Sequence, residues 1–301
     1  MKTKSWNRRS VLKTFAGGAA VSAALPYISA AEPQTDTKGR GNVNHSVCKW
    51  CYDGKLSLED LAAGASKIGM KSVELIGPEE FPTVKKYGLT CAMTWGSRPI
   101  ENNLNRRENH DNCEMQLRKG IDFAADAGIP SVICFSGNRK GVDKQTGVQW
   151  KVDDEEGLEN CYVGVKRVIG YAEKKGINIA IELLNSKVNH KDYMFDHMDW
   201  GVKLVKKVGS PRFKILYDIY HAQIMEGDII RTLRDHKDYI VHYHTGGNPG
   251  RNEIDQTQEL NYAAICKAIL DTGYTGFIGQ EFIPKRDPLT SLAQAFRICD
   301  V

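Results

Sequence analysis

The sequence lacks a run of about 20 strongly apolar residues, the length that a membrane-spanning helix needs. The apolar stretch at residues 14–25 is short and rich in glycine and alanine. A G-x-G-x-x-G motif after a predicted strand is also missing, so nothing indicates a dinucleotide site. These absences predict a chain without a membrane span and without a bound dinucleotide.

A strong excess of one charge is missing too, once the N-terminus is set aside. The chain has 41 Lys and Arg against 37 Asp and Glu, with a formal charge of +4. Five of the basic residues and no acidic residue fall within residues 1–31, which leaves 36 basic against 37 acidic residues. The rest of the chain therefore has no basic excess that would favour a nucleic-acid partner.

The N-terminus matches a twin-arginine export signal. An arginine pair lies in the run Asn7-Arg8-Arg9-Ser10-Val11-Leu12-Lys13, ahead of the apolar stretch, and small residues typical of a cleavage site follow at 29–31. We predict an export signal at residues 1–31, a polar linker at 32–41 and a single domain at 42–301. The mature protein is expected in the periplasm or outside the cell.

Eight cysteines would permit disulfides in an exported protein, but their positions favour a structural role. Most lie inside predicted strands or helices, where Cys packs as a small apolar residue. Cys48 and Cys51 have the C-x-x-C spacing of a redox motif. A disulfide between these two remains an alternative.

Short apolar segments alternate with longer amphipathic ones along the chain. The eight predicted strands are at residues 44–50, 72–76, 90–95, 131–135, 178–183, 213–217, 240–244 and 276–281. The predicted helices between them are at residues 57–68, 113–127, 156–175, 200–208, 228–236, 260–272 and 289–299. A polar segment at 138–153 is expected either as a loop over the active-site mouth or as a surface insertion.

One local signature, a helix stop at glycine shortly before a strand begins, occurs six times. These glycines are Gly69, Gly88, Gly128, Gly176, Gly209 and Gly273. Glycine adopts the left-handed conformation that stops a helix, so each marks the same short connection. Strands that alternate with helices imply a parallel sheet, and eight units in one domain predict an α/β fold, a single (β/α)8 TIM barrel. An open doubly wound sheet is the alternative.

The last four predicted strands each end in a side chain that can bind a metal. These residues are Glu182, Asp218, His244 and Glu281, spaced 36, 26 and 37 residues apart. A single buried acid would more often be structural, but in a barrel these strand ends converge on one mouth. Three converging carboxylates repel one another unless a cation lies between them. The donor set predicts one divalent ion, with Mn²⁺ or Mg²⁺ favoured over Co²⁺ or Zn²⁺.

Such an ion can bind two adjacent substrate oxygens and stabilise an enediolate. Glu182 and Glu281, on strands three apart, are then placed to act as base and acid on opposite faces of the substrate carbon. We therefore predict an isomerase or epimerase that moves a proton next to the carbonyl of a small sugar or hydroxy-keto acid.

The segments around these residues resemble the hydroxypyruvate isomerase family of the xylose-isomerase-like barrels. The matching stretches are Ile181-Glu182-Leu183-Leu184-Asn185, Leu216-Tyr217-Asp218-Ile219-Tyr220-His221, His242-Tyr243-His244-Thr245-Gly246-Gly247-Asn248-Pro249-Gly250-Arg251 and Gly279-Gln280-Glu281-Phe282. The resemblance covers residues 42–301. It implies that Glu182, Asp218, His244 and Glu281 are the ligands and that the two glutamates transfer protons. It also implies that His221 and Arg251 contact substrate oxygens.

The residues alone leave alternatives for the substrate contacts. His221 could be a surface or capping histidine, and Arg251 could be an exposed loop arginine instead of a clamp for a substrate carboxylate. Asn185 and Glu74 also end strands, and we expect both to form hydrogen bonds either behind the ligands or at the mouth, with Asn185 as a candidate substrate contact. Trp50 is expected to wall the substrate pocket, with core packing as the alternative.

The resemblance departs from the family at two positions. Escherichia-type hydroxypyruvate isomerases commonly carry Gln where this chain has His244, whereas ketose 3-epimerases carry His there. Those epimerases have a substrate-binding Glu where this chain has Val188. The alternative functions are an exported lyase or epimerase for keto-sugars or 3-keto-glycosides, a nuclease of the same fold, and a sugar-binding protein without turnover. A homo-oligomer is compatible with each.

Overall fold

The computed structural model describes residues 40–142 and 147–301. The predicted export signal and residues 32–39 of the predicted linker lie outside this part of the chain. Among the described residues, no helix is both long and apolar enough to cross a membrane.

Eight parallel strands form the centre of the fold. The strands in chain order are β1 (Asn44–Cys48), β2 (Ser72–Glu74), β3 (Thr94–Trp95), β4 (Ser131–Cys134), β5 (Lys140–Val142), β6 (Gln149–Lys151), β7 (Asn178–Glu182), β8 (Phe213–Asp218), β9 (Ile240–Thr245) and β10 (Phe277–Gln280). All except β5 and β6 belong to one sheet in the order β2-β1-β10-β9-β8-β7-β4-β3. Isolated parallel bridges from Ser72 to Thr90 and from Ile76 to Thr94 bring the two edges of this sheet together. The fold is the predicted (β/α)8 TIM barrel.

The helices surround the barrel. They are α1 (Leu58–Ile68), α2 (Phe81–Lys86), α3 (His110–Ala127), α4 (Asp154–Lys166), α5 (Ile169–Lys175), α6 (Met198–Val208), α7 (Ile219–Met225), α8 (Ile229–Asp235), α9 (Tyr262–Asp271) and α10 (Pro288–Cys299). The single helix predicted at 156–175 is divided, because the backbone leaves helical geometry at Val168 with φ −124°. Ser57 caps α1, its hydroxyl accepting from the Asp60 amide. All six predicted helix-stop glycines have positive φ, between 69° and 104°.

The cysteines are structural. All eight are free and buried, so the alternative of a Cys48–Cys51 disulfide is not realised in this structure. Burial raises the pKa of both the Cys48 and Cys51 thiols well above its ordinary value. Neither thiol therefore has the lowered pKa of a redox cysteine.

The polar segment at 138–153 contains regular structure that the sequence did not indicate. Its strands β5 and β6 pair antiparallel, and their residues are exposed except for the central residue of each strand, which is partly buried. Arg139 fastens the base of this hairpin through ion pairs to Asp154 (2.6 Å) and Asp196 (3.1 Å). Three-residue strands with polar side chains give too short an alternation for a sequence pattern to reveal.

Candidate metal centre

The four predicted ligands lie together at the C-terminal ends of β7 to β10. Each offers one potential ligand atom, and these four atoms lie within 4.8 Å of one another. Glu182 and Asp218 are the last residues of β7 and β8, and Glu281 directly follows β10. The register pairs His244 with Asp218 on one side and with Gly279 on the other. The parallel barrel thus gathers residues that are far apart in sequence.

Two atoms of this cluster are buried and make no hydrogen bond. They are Glu182 Oε1 and His244 Nδ1. His244 Nδ1 faces Glu281 Oε2 at 2.9 Å and Glu182 Oε1 at 3.4 Å. Buried polar atoms without partners are costly, so these lone pairs suit a cation bound between them. Three carboxylates and one imidazole therefore fit the predicted divalent ion.

Arg251 lies in the same cluster and not in an exposed loop. Its Nη2 donates to Glu281 Oε2 at 2.5 Å and to Asp218 Oδ2 at 3.2 Å. Its guanidinium lies against the rings of Trp50 and Tyr220, at 5.1 and 5.3 Å from their centroids. Burial lowers the Arg251 pKa, but Glu281 and Asp218 outweigh this and raise it, so the side chain stays charged. Its positive charge compensates part of the carboxylate repulsion.

The carboxylates differ in how strongly they hold a proton. Burial and the neighbouring carboxylates raise the pKa of Asp218 well above its ordinary value. Burial also raises the pKa of Glu182. Burial acts in the same direction on Glu281, but Arg251 and His244 hold the pKa of Glu281 well below its ordinary value. The two glutamates are thus inequivalent, as an acid and base pair requires.

His221 presents one ring nitrogen to the cluster. Its backbone amide donates to Asp218 Oδ1 at 3.1 Å, so Asp218 also caps α7. The Asn185 amide donates to His221 Nδ1 at 3.1 Å, which places the ring proton on Nε2. His221 Nε2 is buried without a hydrogen-bond partner and lies 3.7 Å from Asp218 Oδ2. Burial and the charge of Arg251 lower the His221 pKa, so the neutral ring can donate to a substrate oxygen.

The Asn185 side chain is engaged with the protein. Its oxygen accepts from the amides of Val188 and Asn189, both at 2.9 Å, and its Nδ2 donates to Asn189 Oδ1 at 2.8 Å. Nδ2 also lies 2.6 Å from His221 Nδ1. These contacts position His221, and the predicted contact of Asn185 with substrate remains a prediction. Val188, the position of the epimerase glutamate, is 68% exposed.

Trp50 contacts a candidate catalytic residue directly. It lies in the 3-10 turn that follows β1, and its Nε1 donates to Glu281 Oε1 at 2.8 Å. Both oxygens of Glu281 are therefore held, one by Trp50 and the other by Arg251. No sequence pattern indicates this hydrogen bond, because it joins residues 231 positions apart.

Three further residues near the cluster were not predicted as site residues. His190 packs edge-on against His221, with ring centroids 5.3 Å apart, and burial lowers the His190 pKa to about 4. Tyr220 lies against Arg251, and His242 bonds to Glu74 at 2.9 Å. Glu74 itself lies beneath His244 and not at the mouth, with its Oε1 2.6 Å from His244 Nε2. The position of His242 two residues before His244 was an available signal, since both must face the barrel interior.

Comparison with known proteins identifies the family of the chain. Residues 64–299 match the model of the xylose isomerase-like TIM barrel. The chain is 25% identical over 260 residues to a putative hydroxypyruvate isomerase of Mus musculus, covering 81% of this chain and 90% of the relative. It is 26% identical over 247 residues to a 2-oxo-tetronate isomerase of Pectobacterium atrosepticum, covering 75% and 86%.

A solved structure extends the comparison of the fold. The 3-keto-D-glucoside 4-epimerase of E. coli superimposes with a TM-score of 0.71 at 17% identity, covering 85% of this chain and all of the epimerase. At this identity the likeness concerns the fold alone. The match to the family model spans most of the chain, so the protein belongs to the xylose isomerase-like TIM barrel family.

Proposed function

We propose that this protein is a divalent-metal-dependent isomerase or epimerase that acts on a small sugar or hydroxy-keto acid. The observation that carries the proposal is the buried cluster of three carboxylates and one imidazole at the mouth, with Glu182 Oε1 and His244 Nδ1 unpartnered. The similarity to isomerases over most of the chain supports the same reaction class.

Glu182, Asp218, His244 and Glu281 would hold the ion. When bound, the ion supplies Lewis-acid stabilisation of negative charge on substrate oxygens, and the hard donor set favours Mn²⁺ or Mg²⁺. Arg251 would neutralise part of the remaining carboxylate charge, and the Nε2–H of His221 would donate to a substrate oxygen. Trp50 and Tyr220 flank Arg251 and would exclude water from this side of the mouth.

The two glutamates would carry the proton. In an isomerisation, one removes a proton from the carbon next to the carbonyl, and a proton returns to the neighbouring carbon. In an epimerisation, the second glutamate returns a proton to the same carbon from the opposite face. Glu281 accepts a hydrogen bond at both oxygens, whereas Glu182 Oε1 accepts none, so the two carboxylates differ in how firmly they are held.

Solvent isotope exchange tests this proposal. The metal content of the purified protein is measured, and the metal-loaded protein is incubated in D₂O with a panel of aldoses, ketoses and hydroxy-keto acids. We expect deuterium at the carbon next to the carbonyl of at least one compound by NMR. Glu182→Gln should abolish this exchange, and Glu155→Gln, at an exposed position on α4, should not. No exchange with any compound by the metal-loaded protein would contradict the proposal.

A second candidate is an exported lyase or epimerase for keto-sugars or 3-keto-glycosides. The predicted export signal favours it, because small keto acids of central metabolism are processed inside the cell. The same acid and base pair would remove a proton next to the 3-keto group, and the electron pair would expel the aglycone. A released aglycone in the product mixture, in place of a rearranged sugar, would distinguish this reaction.

We also propose export through the twin-arginine pathway. The arginine pair at residues 8–9 is the recognition feature, so the double substitution Arg8→Lys and Arg9→Lys should leave the unprocessed chain in the cytoplasm. Cell fractionation with mass spectrometry of the mature N-terminus measures both localisation and cleavage. Equal export of the variant would contradict this route.

A further inference from the structure

A buried network lies beneath His244 inside the barrel. Its centre is Glu74 at the end of β2, whose Oε1 lies 2.6 Å from His244 Nε2 and 2.9 Å from His242 Nε2. The Cys48 thiol lies 3.5 Å from the same carboxylate oxygen and 3.6 Å from His244 Nε2. All four residues are buried, and the Glu74 carboxylate is fully enclosed.

The contact of Glu74 with His244 is possible because Gly279 has no side chain. In the sheet order, β1 and β10 separate β2 from β9, so Glu74 must reach across the barrel interior to the two histidines. A Cβ atom at Gly279 on β10 would lie 2.8 Å from Glu74 Oε1 and 2.8 Å from His244 Cδ2. Glycine at this position therefore leaves the space in which the carboxylate and the imidazole meet.

The network determines which nitrogen of His244 faces the candidate metal. A cation bound at Nδ1 would take the lone pair of that nitrogen, which leaves the ring proton on Nε2, where Glu74 Oε1 at 2.6 Å accepts it. Nδ1 is the atom that faces Glu281 and Glu182. His242 donates to the same oxygen of Glu74 and fixes its position, since His242 and His244 alternate with Tyr243 and both point inward.

We propose that Glu74 and His242 are positioning residues that set the affinity of the metal site through His244. This inference rests on the metal dependence proposed above. Glu74 fixes the tautomer and orientation of His244 and makes Nδ1 a stronger donor, and His242 acts by holding Glu74. Outer hydrogen-bond partners of a metal-binding histidine commonly change metal affinity by roughly 10–100-fold.

Metal titration of the full chain tests the proposal. The Kd for Mn²⁺ is measured by calorimetry and by electron paramagnetic resonance for wild type, Glu74→Gln, His242→Asn and the double variant. We expect Glu74→Gln to weaken binding by about 10–100-fold and His242→Asn to weaken it less. Because His242 acts through Glu74, the double variant should bind about as weakly as Glu74→Gln alone.

Asp196→Asn is the matched control. Asp196 is also a buried carboxylate, and it bonds to His197 at 2.8 Å, but its partners are Arg139, Ser186 and His197. This substitution should leave the Mn²⁺ Kd unchanged. Circular dichroism of each metal-free variant verifies that the barrel is folded, and His242→Asn provides an independent test if Glu74→Gln does not fold.

Two spectroscopic measurements separate positioning from simple structural support. Long-range ¹H–¹⁵N NMR should find the His244 proton on Nε2 in the Mg²⁺-loaded wild type, and the signal of this proton should shift in Glu74→Gln, which changes the group that accepts it. The visible absorption of the Co²⁺ form should also change in Glu74→Gln. Unchanged Kd and spectra in a folded Glu74→Gln that binds metal would overturn the inference alone. A wild type that binds no divalent ion would overturn the proposed function together with it.

Discussion

The two halves of the barrel differ in regularity and in what they contribute to the site. Strands β7 to β10 have 5, 6, 6 and 4 residues and pair along parallel ladders, with one register shift between β8 and β9 at residues 215–216. Strands β1 to β4 have 5, 3, 2 and 4 residues, and only isolated bridges join the β2 and β3 regions. All four candidate ligands belong to the regular half. The chain therefore carries its converging charges on the part of the barrel with the most continuous backbone hydrogen bonding.

The irregular half contributes residues that contact the candidate ligands and support their positions. Trp50, after β1, bonds to Glu281, and Glu74, at the end of β2, bonds to His244. The two halves of the barrel therefore have different functions in the site. Loss of a residue from the regular half should remove the chemistry, whereas loss of a supporting residue should weaken it.

The largest effect is expected for Glu281→Gln in the regular half. The amide keeps the shape but cannot transfer the proton, so the turnover number should fall by about 10²–10⁴-fold, the usual contribution of a general acid or base. The measurement is the initial rate on the substrate found by deuterium exchange. A variant that keeps more than a tenth of wild-type turnover would contradict the assignment of the chemistry to this half.

Arg251→Met should destabilise the metal-free protein. Removing one partner of a buried ion pair leaves Glu281 and Asp218 uncompensated and costs about 3–5 kcal/mol of unfolding free energy. Urea unfolding with and without excess Mn²⁺ measures this loss, and the ion should restore part of it. Arg139→Met is the control, because Arg139 also pairs with two carboxylates, outside the cluster, and its loss should be independent of Mn²⁺. Equal losses in both media for Arg251→Met would contradict its compensating role.

His45 on β1 should make the irregular half sensitive to acid. Burial lowers the His45 pKa from 6.5 to about 4, with a partial opposing effect of Asp300 and a smaller lowering effect of Lys71. Between these two pH values the unfolded chain binds the proton and the folded chain does not. The unfolding free energy should therefore decrease by an amount on the order of 3 kcal/mol as the pH falls from 6.5 to 4. Urea unfolding against pH should give a flatter slope for His45→Phe, and an unchanged slope would contradict this origin.

Trp50→Phe should have the smallest effect. It keeps an aromatic ring beside Arg251 but removes the N–H donor to Glu281, and we expect the turnover number to fall by about 10-fold, corresponding to roughly 1.4 kcal/mol. Trp200→Phe is the control, because its Nε1 also donates, to the Asp154 carbonyl at 3.2 Å, on the outside of the barrel. A loss as large as that of Glu281→Gln would erase the distinction between the two halves.

The barrel and the cluster could be predicted because each depends on a local signal repeated along the chain. Every helix-stop glycine marked a connection, and a donor residue stood at the end of each of the last four strands. The burial of Arg251 could not be predicted, because it depends on how the loop that follows β9 folds back over the mouth. The strand pairing within the polar segment at 138–153 could not be predicted, since Arg139 anchors this segment to Asp154 and Asp196, which lie outside it.

Contacts between residues far apart in the sequence also could not be predicted. The hydrogen bond from Trp50 to Glu281 and the contact of Glu74 with His244 depend on which strands are neighbours in the closed barrel. No periodicity within one segment contains that information. The identity of the ion, the oligomeric state and the export signal stay predictions.

Asp218 connects the candidate metal site to His221, the proposed donor to a substrate oxygen. One of its oxygens caps α7 through the His221 amide, and the other faces the cluster beside Arg251. The carboxylate thus acts as a spacer of fixed length between the point where the ion would bind and the imidazole that would hold a substrate oxygen. A new substrate preference can then evolve at the rim, at positions such as Val188 and His190, while the distance between ion and donor stays constant.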